Sequence, residues 1–144
     1  MIQIKEIKHQ DYLNCYYFDS NSFKFWDKIQ WENELRKNNV KSLGIYSENL
    51  IVGICVFFLI FEEAELRYFS ISPNLRRRGL GKKLFNKFLQ ICKKENINKI
   101  FLEVSIKNKE AIGFYEYFRF KTIGIRKKYY KDGSDALLKE KNVK

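Results

Sequence analysis

Residues 66–94 change periodicity once, and that change constrains the fold more than any other part of the chain. Leu66, Tyr68, Ser70 and Ser72 alternate with Arg67, Phe69 and Ile71, the period-2 pattern of a strand rich in aromatic and β-branched side chains. Pro73 has no N–H to add to a ladder and ends the strand. From Leu80 the period becomes helical. Leu80, Leu84, Phe85, Phe88, Leu89, Ile91 and Cys92 share one face, and Lys82, Lys83, Asn86, Lys87, Gln90, Lys93 and Lys94 take the other. The join is Arg76-Arg77-Arg78-Gly79-Leu80-Gly81. Glycine lets a ligand approach the backbone, and a first helical turn offers unpaired N–H groups at the positive end of the helix dipole. Strand, basic glycine turn and amphipathic helix in that order make a phosphate cradle. It is neither a Walker loop, which ends in Gly-Lys-Ser/Thr, nor a dinucleotide fingerprint, which needs three glycines.

The rest of the chain alternates strands and helices around this stretch. Ile2 to Ile7 predicts a strand, and Asp11 to Phe18 a helix with Tyr12, Leu13, Tyr16 and Tyr17 on one side. Asp19-Ser20-Asn21-Ser22 reads as a polar turn. Asp27 is placed to cap a helix carrying Trp31, Glu34 and Leu35, which Lys37 to Val40 breaks. Leu43–Tyr46 and Leu50–Phe61 predict a hairpin across Ser47-Glu48-Asn49, and Glu62-Glu63 turns the chain into the strand before the cradle. After the long helix, Lys99–Val104 is a strand. Asn108 or Ser105 caps a helix whose apolar side is Ala111, Ile112, Phe114, Tyr115 and Phe118. Phe120–Ile125 and a segment beginning at Ala136–Leu138 complete the strands, with a turn at Lys131-Asp132-Gly133. The order β-α-α-β-β-β-α-β-α-β-β predicts one α/β domain over residues 1–144. Its mixed sheet is antiparallel at first and parallel around the cradle helix.

Composition narrows the chemistry. A single histidine, His9, argues against histidine triads and the common zinc sites. Cys15, Cys55 and Cys92 are widely spaced and read as buried, reduced thiols, so neither disulfides nor a metal are expected. The longest apolar run, Leu50 to Phe61, falls short of the roughly 20 residues that span a bilayer, and the N-terminal segment alternates without the apolar core of a signal peptide. A cytoplasmic location is therefore expected. The formal net charge of +11 fits an anionic cofactor, a nucleic-acid-associated partner or plain compositional bias. Its clusters are more telling: Arg76, Arg77, Arg78, Lys82 and Lys83 crowd one turn, and Arg126, Lys127, Lys128 and Lys131 form a second group.

Arg-x-x-Gly-x-Gly between such a strand and such a helix resembles the pyrophosphate motif of the GNAT acetyltransferases, and further matches run along nearly the whole chain. Trp26-Asp-x-x-x-Trp31-x-x-Glu-Leu35 is similar to the family's Trp-Ser-x-x-x-Phe-x-x-Glu-Leu, and Glu63-Ala-Glu-Leu-x-x-Phe-Ser-Ile-Ser-Pro73 to its fourth strand. Leu102-Glu103-Val104, Asn108 and Ala111-Ile-x-x-Tyr115-Glu116 resemble the fifth strand and fourth helix. Arg126-Lys-x-Tyr129-Tyr130-x-x-Gly-x-Asp135-Ala136 resembles the C-terminal segment. Within the family the combination is most similar to the RimI type, the ribosomal-protein alanine N-acetyltransferases. Four positions depart from the pattern: Ser105 stands for the usual Arg, Tyr68 for Asn, Lys128 for Asn before the paired tyrosines, and Arg119 for a helix-ending Gly.

The resemblance implies a GNAT fold and transfer of an acetyl group from acetyl-CoA to an amine. It implies that Glu103 accepts the amine's proton and that Tyr115 protonates the departing thiolate. Phe69, Ser70, Ile71, Arg76, Arg77, Arg78, Gly79, Leu80, Gly81, Lys82, Asn108 and Tyr115 would hold the cofactor. Trp26, Tyr68, Tyr129 and Tyr130 would line the acceptor groove. The implied partners are acetyl-CoA and a protein N-terminus, a ribosomal small-subunit protein among the candidates. Direct nucleic-acid and membrane roles are not expected, and the chain is expected to be a monomer or weak dimer. Two other readings stay open: acetylation of a small amine such as a polyamine or aminoglycoside, and a non-catalytic basic domain that binds RNA or the ribosome.

Overall fold

A computed structural model describes all of residues 1–144 and gives the expected element order. The strands are β1 (Ile2–Glu6), β2 (Val40–Ser47), β3 (Leu50–Ile60), β4 (Glu63–Ile71), β5 (Lys99–Ser105), β6 (Lys121–Arg126) and β7 (Ala136–Asn142). The helices are α1 (Tyr12–Ser20), α2 (Lys28–Arg36), α3 (Leu80–Lys94) and α4 (Lys109–Tyr117). One seven-stranded sheet runs β1-β2-β3-β4-β5-β7-β6. Only β4 and β5, joined through α3, are parallel; every other pair is antiparallel.

Local chemistry sets most boundaries. Asp27 caps α2 through a reciprocal box with Gln30, each side chain bonding the other's backbone N–H at 2.8 and 2.9 Å. Asn108, rather than Ser105, caps α4 by accepting from the Ala111 N–H at 3.1 Å. The β2–β3 hairpin turns on Glu48 and Asn49, both left-handed, as a tight turn between twisted strands requires. The next reversal falls at Phe61-Glu62, so β3 stops at Ile60, one residue short of the expected end.

Two sequence expectations are corrected. Asp19 is not in a polar turn: α1 runs on to Ser20 and buries it. The alternation through residues 66–72 also breaks. Phe57 pairs with Leu66 and the next residue, Val56, pairs with Tyr68, so Arg67 is a β-bulge. A bulge adds one residue to one strand and swaps the faces beyond it. Leu66 therefore packs with the larger core cluster, while Tyr68 turns to the smaller one on the opposite face. Phe69 and Ile71 take the larger-core side in its place.

The larger cluster lies under α3 and α4, with Phe57, Phe85, Phe88, Tyr115, Phe118 and Phe120 at its centre. The smaller one joins α1 and α2 to the other face through Cys15, Trp31, Ile54, Val56 and Tyr68. Arg67 ties its bulge to α2, with its Nη2 donating to Glu34 at 3.0 Å. Between the two half-sheets the ladder is short. β4 and β5 pair only at Glu63–Lys99, Ala64–Ile100 and Glu65–Phe101. Beyond Glu65 the strands diverge, and the gap opens on both faces.

Candidate active site

One cavity of about 460 Å³ sits at the mouth of this gap. The end of β4 supplies Phe69, Ser70 and Ile71. The following turn and α3 supply Arg76, Arg77, Gly79, Gly81 and Lys82, and Asn108 and α4 supply the far wall with Phe114, Tyr115 and Tyr117. Gly79 is left-handed (φ 81°), and Gly81 lies in the first turn of α3, where an added Cβ would rest in ordinary contact with the Phe114 ring. Two cations are already oriented here. Arg76 donates from Nε to the Ile71 carbonyl at 3.0 Å, and Lys82 sits 4.0 Å above the Tyr117 ring. The Ser70 hydroxyl is buried with no hydrogen-bond partner. Tyr115 is wedged between Phe85, Phe114 and Phe120 and is 7% exposed. Burial first, then Cys55 and Tyr130, push its phenol well above the ordinary value, so its proton stays on Oη.

A second cavity of about 400 Å³ opens on the α1–α2 side of the same gap. Its lining draws on five separated segments, and Phe25, Trp26, Phe101, Tyr129 and Tyr130 make it aromatic. Glu103 projects from β5 into it, with Arg126 Nε 3.4 Å from its Oε2. The Arg126 guanidinium also lies 5.4 Å from the Tyr129 ring centroid. Glu65 is matched by Arg67 at 2.8 Å. Tyr130 lines the second cavity. Burial, then Glu103 and Tyr129, raise its pKa to about 12, and Tyr130 in turn contributes to the shift of Tyr115.

The structure thus brings together Phe69, Ser70, Ile71, Arg76, Arg77, Gly79, Gly81, Lys82, Asn108 and Tyr115 around one cavity, and Trp26, Glu103, Tyr129 and Tyr130 around the other. Three expected residues lie elsewhere. Arg78 points to solvent and Leu80 packs on the larger core. Tyr68 is 3% exposed, and its hydroxyl donates to Asp19 at 2.9 Å because the bulge turned it inward. Residues not singled out in the sequence also line the cavities: Phe23, Phe114 and Tyr117 in the first, Phe25, Phe101 and Arg126 in the second. Asp19 was missed altogether, although its place four residues after Cys15 sets both on one buried helical face. The departures at Arg119 and Lys128 fall on left-handed backbone (φ 67° and 51°), where Gly or Asn is at ease. Ser105 instead bonds the Ser134 hydroxyl at 3.0 Å and ties down the β6–β7 connection.

Residues 6–120 match the model of the Acetyltransferase (GNAT) family. The chain belongs to the GNAT acetyltransferase family. A Bacillus subtilis protein provisionally named a ribosomal protein bS18-alanine N-acetyltransferase is 30% identical over 138 residues, covering 94% of this chain and 91% of its own. The GNAT fold is shared with the ribosomal-protein-S18-alanine N-acetyltransferase of Escherichia coli, at TM-score 0.92 and 22% identity over 99% of this chain and 94% of that one. It is shared too with Arabidopsis thaliana NAA60 in complex with acetyl-CoA, at TM-score 0.86 and 13% identity over 99% and 98%. As a GNAT N-acetyltransferase the chain uses acetyl-CoA. The first cavity suits that ligand in kind: left-handed glycine, a helix N-terminus, two oriented cations and an unpartnered buried hydroxyl. No helix is long and apolar enough to cross a membrane, and no cluster of three or more His, Cys, Asp or Glu is placed to hold a metal.

Proposed function

We propose that this N-acetyltransferase modifies the α-amine of a protein N-terminus, with a ribosomal small-subunit protein among its acceptors. The observation that carries the reading is the division of labour across the strand gap. Tyr115 lines the first cavity at the end of β4, and Glu103 projects from β5 into the second, so an acid and a base stand on opposite sides of the gap. Acetyl-CoA supplies the acetyl group activated as a thioester. Phe69 to Ile71, Arg76, Arg77, Gly79, Gly81, Lys82 and Asn108 would hold it. Asn108 spends its Oδ1 on the α4 cap, which leaves Nδ2 for a ligand.

Glu103 would take the amine's proton at a carboxylate oxygen, directly or through a water, while the amine attacks. Tyr115 would donate from Oη to the leaving sulfur; burial keeps the phenol protonated at neutral pH, so the proton is in place when the thiolate departs. An α-amine has a reference pKa of roughly 7.7–8.0 against about 10.4 for lysine, so an N-terminus demands less of its base. The cavity also fits an N-terminal peptide better than a polyamine. Its carboxylates are only two, Glu103, whose Oε2 has no hydrogen-bond partner and would serve the reacting amine, and Glu65, paired with Arg67 at 2.8 Å, so no further free acid awaits a second ammonium. The provisional name of the B. subtilis relative supports the same class.

The test is acetyl-CoA turnover on short peptides with free N-termini, one beginning Ala-Arg-Tyr, beside N-blocked lysine peptides and polyamines. The free N-termini should have the highest kcat/KM. Preference for a blocked lysine peptide or a polyamine would sink the reading.

A further inference from the structure

Asp19 has an acidic side chain with no solvent exposure, and every donor to its carboxylate is a neutral group. A bare carboxylate is costly to bury unless donors fill its lone pairs. Four neutral groups do so. Phe25 N–H donates to both oxygens at 3.1 and 3.0 Å, Trp26 N–H at 2.9 Å, the Trp31 indole Nε1 at 3.0 Å and the Tyr68 hydroxyl at 2.9 Å. The Asp19 carbonyl accepts from Ser22 and Lys24 as well, at 3.0 and 2.7 Å.

The donors are not a random set. Phe25 and Trp26 belong to the connection between α1 and α2, and both side chains line the acceptor cavity. Phe23 of the same connection lines the cofactor cavity. The connection has no regular structure of its own, passes through left-handed Lys24 (φ 54°), and offers two consecutive amides that only the Asp19 carboxylate accepts. Tyr68 anchors the cluster to β4, one residue before Phe69. Its ring lies 5.0 Å from Trp31 and 5.5 Å from Trp26. A single carboxylate therefore holds an aromatic wall in register with the strand that borders both cavities.

We propose that Asp19 is the positioning residue of the acceptor groove, fixing Phe25 and Trp26 so that the incoming amine is directed at the strand gap. The proposal rests on the reading that the second cavity receives the acceptor, but not on which amine that acceptor carries. Asp19 touches no substrate. Its action runs through the loop amides, so its loss separates the two substrates kinetically.

The experiment is steady-state kinetics of Asp19→Asn with whichever amine the wild type turns over fastest, so a wrong acceptor class leaves the test intact. Asparagine keeps one accepting oxygen and sets an NH₂ against a loop N–H or the Tyr68 hydroxyl. The acceptor KM should rise by about tenfold or more while the acetyl-CoA KM stays within about twofold, the signature of a defect confined to acceptor binding. Tyr68→Phe keeps the ring and both loop amide bonds, and should raise the acceptor KM by a smaller factor, about threefold, again sparing acetyl-CoA. An unchanged acceptor KM in folded Asp19→Asn overturns the proposal, as does a parallel loss in both KM values and kcat. If Asp19→Asn does not fold, an unchanged acceptor KM in Tyr68→Phe overturns it alone.

Discussion

The two cavities on either side of the strand gap are built in opposite ways. The cofactor cavity comes almost entirely from two continuous runs, Phe69 to Lys82 and Asn108 to Tyr117, plus Phe23. Its character lies in backbone: a left-handed glycine, a helix start and the end of a strand that has left its neighbour. The acceptor cavity gathers short pieces of α2's approach, β4, β5, β6 with its following loop, and β7, and its character lies in side chains. On the proposed assignment, the difference separates cofactor binding, which any chain with the right local run can carry, from acceptor selection, which only the assembled fold creates.

The sharpest way to break this division is at the residues that face each other across it. Tyr115→Phe keeps the ring and its packing and removes the proton at Oη. It should lower kcat by roughly 10²-fold or more with little change in acetyl-CoA affinity. Glu103→Gln, on the other side, should leave a rate that climbs with pH as the amine deprotonates unaided. An N-terminal acceptor should show that rise about two units below a lysine acceptor. Near-full kcat in Tyr115→Phe, with chemistry rate-limiting, would make Tyr115 a packing residue only.

A cofactor-side change should leave the acceptor side intact. Gly81→Glu puts bulk and negative charge into the cavity lined by Arg76, Arg77 and Lys82. Acetyl-CoA at about 100 times its Kd should stabilise the wild type by about 2.7 kcal/mol. Calorimetry of the variant should show a folded protein with no such gain. A persisting ligand shift in Tm would place the cofactor elsewhere.

Both cavities hold phenols that ionise reluctantly, and alkaline stability tests whether they behave alike. Burial, then Glu103 and Tyr129, lift Tyr130 from 10.0 to about 12, and Tyr115 is raised further, chiefly by burial. A raised folded pKa means that the unfolded chain releases its proton first. The stabilising contribution is therefore full below about pH 10 and drains away between about pH 10 and 12 for Tyr130. Urea midpoints of Tyr130→Phe should fall less steeply across that window than those of the wild type. Parallel curves would mean that Tyr130 ionises freely in the folded state.

How much of this was legible follows from how far apart the determinants lie. The strand, glycine turn and helix of residues 66–94, the Asp27 and Asn108 caps and the Glu48-Asn49 turn were readable because each is decided within a few residues. Tyr68 was misplaced because a one-residue bulge at Arg67 inverts every facing beyond it, and nothing local in Leu66-Arg67-Tyr68 announces that insertion. Asp19 looked like a turn former because its four donors come from residues up to 49 positions away. The Glu103–Arg126 pair exists only because β7 lies between β5 and β6.

The smallest expected effect concerns the end of α4, which positions Tyr115. Phe120 N–H bonds the Tyr115 carbonyl at 3.0 Å and Arg119 N–H that of Glu116 at 2.9 Å, a Schellman closure with Arg119 held left-handed. Left-handed backbone costs a residue with a Cβ about 1 kcal/mol, so Arg119→Gly should stabilise by up to that amount and leave kcat unchanged. A loss of about 1 kcal/mol in chemical unfolding would show instead that the Arg119 side chain holds the helix end.

The short β4–β5 ladder has a mechanical side. β1 lies at one edge of the sheet and β7 next to the other, so a pull on the two ends of the chain must cross every strand between them. Five junctions carry that load, and four are antiparallel ladders of five or more register pairs. The fifth, between β4 and β5, has three pairs, all parallel. The opening proposed to admit the substrates is therefore also the fault line of the molecule. Under tension the protein should part into β1–β4 and β5–β7–β6, each half keeping its own ladders, before any single strand peels away.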